Sequence, residues 1–196
     1  MLTLNSVFKD PSQINYEVVL KRGQALTVRP LIKEDTEELG KFLHNLSPST
    51  REFSTFDSYD EPMARELCDA INKYDKLRLV VESDQEIVGL LEFSFGLPEG
   101  DLTRFKEAGY ELTEEEDCRF GITLADKYQD LGLGGKLMPI IKDVAKKFGK
   151  ERIILWGGVF ESNQRAVHYY EKHGFSRVAS SLDDNGRARL DMIAEL

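Results

Sequence analysis

Leu124-Ala-Asp-Lys-Tyr-Gln129-Asp130-Leu131-Gly132-Leu133-Gly134-Gly135-Lys136-Leu137 is the stretch whose reading decides the fold. It follows a strand-like run, Arg119-Phe-Gly-Ile-Thr-Leu124, and opens a helix-like run from Lys136 to Phe148. Three glycines within four residues stand where strand becomes helix. Glycine lets backbone approach a ligand closely, and the first N–H groups of a helix have no intrahelical partner. Those donors and the helix dipole together favour an anion. The first expectation is therefore a phosphate cradle, and a tight turn that holds nothing is its alternative.

Two familiar phosphate loops do not fit. A Walker A loop needs Ser or Thr after Gly135-Lys136, where Leu137 stands, and a glycine at 130, where Asp stands. A dinucleotide fingerprint needs a third glycine at 137 and a βαβ unit early in a parallel sheet. Here two hairpins come first. Tyr16-Glu-Val-Val-Leu20 and Ala25-Leu-Thr-Val-Arg29 flank Lys21-Arg22-Gly23-Gln24. Leu77-Arg-Leu-Val-Val81 and Glu86 to Phe95 flank the polar turn Ser83-Asp-Gln85.

Between the hairpins, Leu39, Phe42, Leu43 and Leu46 recur at helical spacing behind a cap at Asp35 or Glu34. Ser47-Pro48 reads as a break, residues 51–62 as irregular and aromatic, and Arg65 to Tyr74 as a second helix. Residues 96–117 read as a long excursion with a short helix at Leu102 to Ala108. Its acidic end, Glu111 to Asp117, reads as a solvated loop. Beyond the glycine turn, Pro139 should bend its helix. Arg152 to Trp156 is a strand, and Gly157-Gly158 marks a bulge or a close backbone approach. Asn163 to His173 is a helix, capped by Ser162 or Asn163 and ended by Gly174 in the left-handed region. Two closing strands, Phe175 to Ser180 and Arg189 to Ala194, join through Asp183-Asp-Asn-Gly186.

At 196 residues the chain can bury a full core without disulfides or a metal, and one α/β domain over 1–196 is expected. A net charge of −9 argues against a nucleic-acid partner. No apolar run approaches the roughly 18 residues of a membrane span, and no secretory signal is apparent. Cys68 and Cys118 have no paired spacing and read as reduced thiols, so a cytoplasmic location is expected.

The spacing Gln129-x-x-Gly132-x-Gly134 resembles the first motif of the GNAT (GCN5-related) N-acetyltransferases. Asn163-x-x-Ala166-x-x-x-Tyr170-x-x-x-Gly174-Phe175 resembles their second, and the element order is similar from Leu26 onward, beginning with Val28-Arg-Pro30 and Asp35. The resemblance implies a GNAT fold. That is a mixed, mostly antiparallel twisted sheet of about six to eight strands with about four helices, here with residues 1–25 as an N-terminal addition carrying a hairpin strand.

The same resemblance implies acetyl-CoA as cosubstrate and a primary amine as acceptor. Its diphosphate would lie on Gln129, Asp130, Leu131, Gly132, Leu133, Gly134, Gly135 and Lys136. Its arm would run along Ile122, Thr123 and Leu124, with the Leu124 N–H polarising the thioester carbonyl. Asn163 would flank the cofactor and Tyr170 would be the general acid. Among carboxylates placed to accept the amine's proton, Glu116 ranks first, ahead of Asp117 and Glu92. Cys118 reads as a core thiol. The acceptor could be a small amine or a protein lysine or N-terminus, and a non-catalytic acyl-CoA sensor is a further reading. The negative charge and the acidic run tilt the expectation toward a cationic acceptor. Oligomeric state stays open.

Overall fold

Tyr16–Val19 (β1), Ala25–Pro30 (β2), Lys76–Ser83 (β3), Glu86–Ser94 (β4), Asp117–Leu124 (β5), Arg152–Phe160 (β6), Ser176–Leu182 (β7) and Ala188–Glu195 (β8) build one sheet. Its order is β1-β2-β3-β4-β5-β6-β8-β7. The structure, a computed structural model, describes residues 1–21 and 23–196, with Trp156 and Gly157 described by backbone alone. The first expected hairpin forms, with Gly23 at φ +82°, while Arg22 of its turn lies outside the described residues. The second turns at Asp84 and Gln85, both with positive φ. That geometry matches the right-handed twist of the strands it joins.

All strand pairings are antiparallel except β5 with β6, which pair in parallel through Asp117↔Arg152, Cys118↔Ile153 and Arg119↔Ile154. The parallel pairing stops there. β5 continues along β4 as far as Leu124↔Gly89, and β6 continues along β8 to Phe160. The two strands therefore part after Arg119, and a cleft opens between their C-terminal halves. The close approach of β4 and β5 at the far end needs Gly89, where a Cβ would stand 2.8 Å from Leu124 Cδ2.

Seven α-helices surround the sheet among the described residues, against about four expected: Leu4–Lys9 (α1), Thr36–His44 (α2), Pro48–Arg51 (α3), Glu61–Asp69 (α4), Glu99–Glu107 (α5), Leu133–Lys147 (α6) and Gln164–Lys172 (α7). The surplus has a common cause in caps and prolines. Ser47 accepts from the Thr50 N–H and Pro48 opens α3, so Ser-Pro starts a helix where a break was expected. Asp60 accepts from Met63 and Pro62 sits in the first turn, so α4 begins four residues before the expected Arg65. Thr3 and Ser6 form a capping box on α1.

Asp35 does not cap α2 with its side chain. It takes both terminal nitrogens of Arg29 at 2.8 Å and the Ile32 N–H at 2.9 Å, fastening β2 to the helix that follows. α2 and α4 cover one sheet face through Leu39, Phe42, Leu43, Ala64 and Leu67. α6, α7 and the N-terminal segment cover the other, where Val7 and Ile14 are fully buried beside Leu137 and Ile141. Pro139 is accommodated inside a continuous α6. Among the described residues no helix is long and apolar enough to cross a membrane.

Candidate active site

The free edge of β5 comes first. Antiparallel strands alternate the edge to which each residue's N–H and C=O point. Ala125 N–H donates to Val88 O at 2.9 Å, toward β4. Leu124 and Ile122, at alternate positions, therefore point their amides the other way, toward the gap that β6 has left. The expected bulge is present too: the β6–β8 register shifts between Trp156 and Val159, across the glycine pair. Nothing stands within 4 Å of where a Gly158 Cβ would be, so the gap is roomy there. The side-chain surroundings of Gly157 lie outside the described residues.

The glycine turn caps this gap. Gly132, at φ +79°, is the N-cap of α6, which starts at Leu133, three residues earlier than expected. Lys136 N–H is the first to find an intrahelical acceptor, Gly132 O at 3.3 Å. Among the described residues the N–H groups of Leu133, Gly134 and Gly135 have no protein partner. Gly134 has no room for a side chain, because a Cβ would meet Tyr169 Cε2 at 2.9 Å. Tyr169 is held there by its own hydroxyl, which donates to Gly134 O at 3.0 Å. Gln129 ties the loop down, its Nε2 donating to Leu124 O at 2.9 Å and Thr50 Oγ1 at 3.1 Å. A cavity of about 460 Å³ lies under the turn, lined by Ile122, Thr123, Leu124, Gln129, Asp130, Gly132, Gly134, Gly135 and Asn163.

A second cavity, of about 500 Å³, lies between the sheet and α4. Phe53, Phe56 and Met63 roof it, and Lys76, Arg78, Glu92 and Arg119 form its charged floor. The two cavities share Ile122, Thr123, Val159 and Tyr170. Tyr170 is 6% exposed, with its ring against Tyr169 and Phe175. Burial, and then the neighbouring Tyr169, push its phenol well above the ordinary value. It stays protonated at neutral pH, and its hydroxyl has no protein partner among the described residues.

Most expected site residues converge here. Asn163 lines the first cavity while its Oδ1 caps α7 on the Ala166 N–H at 3.2 Å. Leu131 and Lys136 are exposed and the Leu133 side chain is in the core, so none of these three side chains lines the cavity. Any contribution from them is through backbone.

Glu116 departs from expectation. It sits just before β5, at the closed end of the β5–β6 fork, half exposed and 3.4 Å from Arg152. Seven residues of strand, roughly 23 Å, separate it from Thr123. Asp117 is fully buried against Arg152 at 2.7 Å. Sequence parity along β5 said which face these residues share and nothing of which end is open. Of the three carboxylates considered, Glu92 alone lines the cleft. Burial would raise its carboxyl, but Arg78 at 2.7 Å and Lys76 at 2.8 Å outweigh that and hold it below the ordinary range.

Cys118 is a core thiol, pushed up to about 12 by burial, then modulated by Lys150 and Asp117. His173 lines the first cavity, and burial followed by Lys172 and Lys142 lowers its pKa, so it is neutral at pH 7. Sequence reasoning missed Arg78, Lys76 and Arg119. A charged residue inside the apolar run Leu77-Arg78-Leu-Val-Val81 was the available signal.

Residues 42–175 match the Acetyltransferase (GNAT) family. Acetyltransferase PA5475 of Pseudomonas aeruginosa is 32% identical over 130 residues, which are 66% of this chain and 64% of that protein. The chain thus spans just under two thirds of that relative's length. The GNAT domain of S. lividans PAT superposes with a TM-score of 0.70 at 20% identity, over 95% of this chain and 99% of that one. Spermidine N-acetyltransferase from Vibrio cholerae, solved with CoA and spermine, gives a TM-score of 0.60 at 22% identity over 87% and 95%. Acetyl-CoA is the cosubstrate of the family. The unpaired N–H groups of α6, the glycine that must stay small and the free edge of β5 fit a diphosphate joined to an extended arm. With that fit, the sheet order and the match over 42–175, the chain belongs to the Acetyltransferase (GNAT) family and has its mixed α/β fold.

Proposed function

We propose that the protein is an acyl-CoA-dependent N-acetyltransferase in which a primary amine attacks acetyl-CoA directly, with Tyr170 as general acid. The observation that carries this reading is the meeting of the two cavities. One lies under an anion cradle, the other over a polar floor, and Tyr170 stands with Ile122 and Thr123 where they join. When bound, acetyl-CoA supplies an activated acyl carbon and a thiolate leaving group. The chain's own residues do the rest. The N–H groups at the start of α6 hold the diphosphate. The outward amides of Ile122 and Leu124 align the arm, and the Leu124 N–H polarises the carbonyl as charge develops on its oxygen. Tyr170, kept protonated by burial, delivers the proton that the departing sulfur takes up.

The amine's proton has a different exit. Glu92 is committed to Arg78 and Lys76, and Asp57 and Glu66 are exposed at the cavity mouth. Water at that mouth takes the proton. An alkylamine with a pKa of about 10 is mostly charged at neutral pH. The apparent kcat/KM should then climb about tenfold per pH unit between pH 6 and 9. The acceptor is a small molecule, because the cavity floor is deep, with Arg78 only 8% exposed. The whole chain, 1–196, acts as one domain, since Val7 and Ile14 of the 1–25 addition sit in the main core.

The test is thiol release from acetyl-CoA across a panel of primary amines, with calorimetry for acetyl-CoA alone. Binding and turnover are expected. Binding without thiol release from any amine would leave an acyl-CoA sensor as the function.

A further inference from the structure

We infer that the acceptor carries a carboxylate as well as its amine, so that the second cavity takes an amino-acid-like molecule in preference to a simple polycation. The inference rests on the acetyltransferase reading and deepens it. It also reverses the expectation drawn from the net charge of −9, since the charge of the whole chain is not the charge of the cavity.

Strand register assembles the floor. Arg78 stands opposite Glu92, and Glu92 opposite Gly121. Lys76 stands opposite Ser94, and Ser94 opposite Arg119. Directly opposed residues share a sheet face, and so do residues two apart on one strand. Lys76, Arg78, Glu92 and Arg119 therefore crowd one patch, under α4, and Gly121 leaves it open at the centre.

The patch holds more cation than anion. Lys76 and Arg78 share the one carboxylate of Glu92. Arg119 pairs with Asp101 at 3.0 Å, and Asp101 also serves Arg104, which pairs with Asp191. On the floor itself three cations, Lys76, Arg78 and Arg119, stand with one carboxylate, Glu92, while Asp57 and Glu66 lie at the mouth. Arg78 is the most telling of the three. It is more than nine-tenths buried and gives Glu92 its Nε. Arg78 lines the cavity, and its two terminal nitrogens have no acceptor among the described residues. A guanidinium fork with its terminal nitrogens uncommitted matches the two oxygens of a carboxylate.

Distance is compatible with one small acceptor. Gly121, level with Arg78, lies two residues from Thr123 at the cavity junction, about 7 Å along the strand. An ammonium at the junction and a carboxylate on Arg78 can belong to one short molecule. The exposed acids Asp57 and Glu66 at the mouth favour the approach of its ammonium end.

The test uses the full chain, saturating acetyl-CoA and matched pairs of amines: leucine with isopentylamine, lysine with cadaverine, and 4-aminobutyrate with butylamine. At least one acid should exceed its partner in kcat/KM by about tenfold or more, the scale of a charge-assisted contact. Arg78→Gln should raise the KM of that acid about 10- to 100-fold, with a much smaller change in the KM of the partner amine and acetyl-CoA affinity unchanged. Retained acetyl-CoA affinity reports the fold. If Arg78→Gln does not fold, Lys76→Gln, at the more exposed edge of the patch, should show the same split at a few-fold. Turnover of the plain amines at equal or greater efficiency in every pair would overturn the inference, as would a variant that affects both members alike. If no amine turns over, the acetyltransferase reading fails separately. Calorimetry of N-acetylleucine against N-acetylisopentylamine, with CoA present, then reads the anion subsite alone: tighter binding of the acid supports it, and equal or weaker binding overturns it.

Discussion

The two halves of the cleft are built from different materials. On the proposed reading, the cofactor half is backbone: the outward amides of Ile122 and Leu124 and the free N–H groups of Leu133, Gly134 and Gly135. The proposed acceptor half is side chain: Lys76, Arg78, Glu92 and Arg119 below, Phe53, Phe56 and Met63 above. Backbone donors need neighbours that stay small and a fixed strand-to-helix turn, so this half leaves glycines at fixed spacing in one short stretch. Side-chain recognition needs only that distant positions meet, so the other half leaves single charges scattered over several strands. The first half can be reused whatever the acceptor, while the second must be rebuilt for each.

The sharpest way to break this division is at the residue both halves share. Tyr170→Phe removes only the hydroxyl from a buried ring packed against Tyr169 and Phe175. A lost general acid typically costs about 10²–10⁴ in rate. The expected result is a fall in kcat on that scale with acetyl-CoA affinity unchanged, read by steady-state kinetics and calorimetry. A kcat within twofold of the parent would remove Tyr170 from the mechanism.

Gly134→Ala comes next and strikes one half alone. In an ordinary helix the change would stabilise by about 1 kcal/mol. Here the new Cβ would meet Tyr169 Cε2 at 2.9 Å, and that ring is held by its bond to Gly134 O and by contact with Tyr170 and His173. Overpacking of this kind costs about 1–3 kcal/mol, so the clash decides the sign. Acetyl-CoA affinity should fall roughly tenfold, with the acceptor KM little changed. Pairing it with Tyr169→Leu should recover part of the loss.

The same contrast explains what could be read from the chain. The hairpins, the strand-turn-helix at 119–148 and the helix from Asn163 to Gly174 were legible because caps, turns and periodicity are local. The glycine turn proposed as the cradle was legible because it is local too. Prolines at 48 and 62 misled because proline ends one element and starts the next with equal ease, and only the cap before it tells which. The acceptor floor was not legible, since it depends on the register of β3, β4 and β5. Glu116 was misplaced for a related reason: alternation along a strand gives the face of a residue, while only the point where β5 and β6 part gives the end at which chemistry can occur.

The halves are nonetheless latched together. Ser47 N–H donates to Asp126 Oδ2 at 2.9 Å, and Thr50 Oγ1 donates to Asp126 Oδ1 at 2.7 Å. Through Thr50 and Gln129 this joins α3, which leads into the acceptor roof, to the turn that forms the cradle. Desolvation opposes ionisation of Asp126, but the Ser47 and Thr50 bonds outweigh it and depress its pKa below the ordinary value. A depressed carboxylate stabilises the fold above its unfolded pKa, and that contribution fades as pH falls through the folded value. Asp126→Asn should lower stability by about 1 kcal/mol at pH 7 and raise both KM values a few-fold. In thermal melts, its deficit against the parent should shrink as pH falls below the ordinary aspartate range. A KM change confined to one substrate would show that the halves act independently.

The smallest effect is expected at Glu116, and it tests the division from outside the cleft. Glu116→Gln removes a half-exposed charge 3.4 Å from Arg152. Arg152 does not depend on it: Nε and Nη2 hold Asp117 at 2.7 and 2.8 Å, and Nη2 also reaches Glu111 O at 2.9 Å. The Glu116 backbone carbonyl keeps its bonds from Glu151 and Arg152 whatever the side chain. Exposed ion pairs contribute about 0–1 kcal/mol, so the melting temperature should move by no more than about 4 °C. At the closed end of the β5–β6 fork the carboxylate has no path to an amine beside Tyr170, and kcat and its pH profile should be those of the parent. A tenfold fall in kcat, with the slope of the pH profile lost, would mean that proton removal reaches the far end of β5. The acceptor would then have to bind much deeper along the fork than the cavity over Arg78 and Glu92.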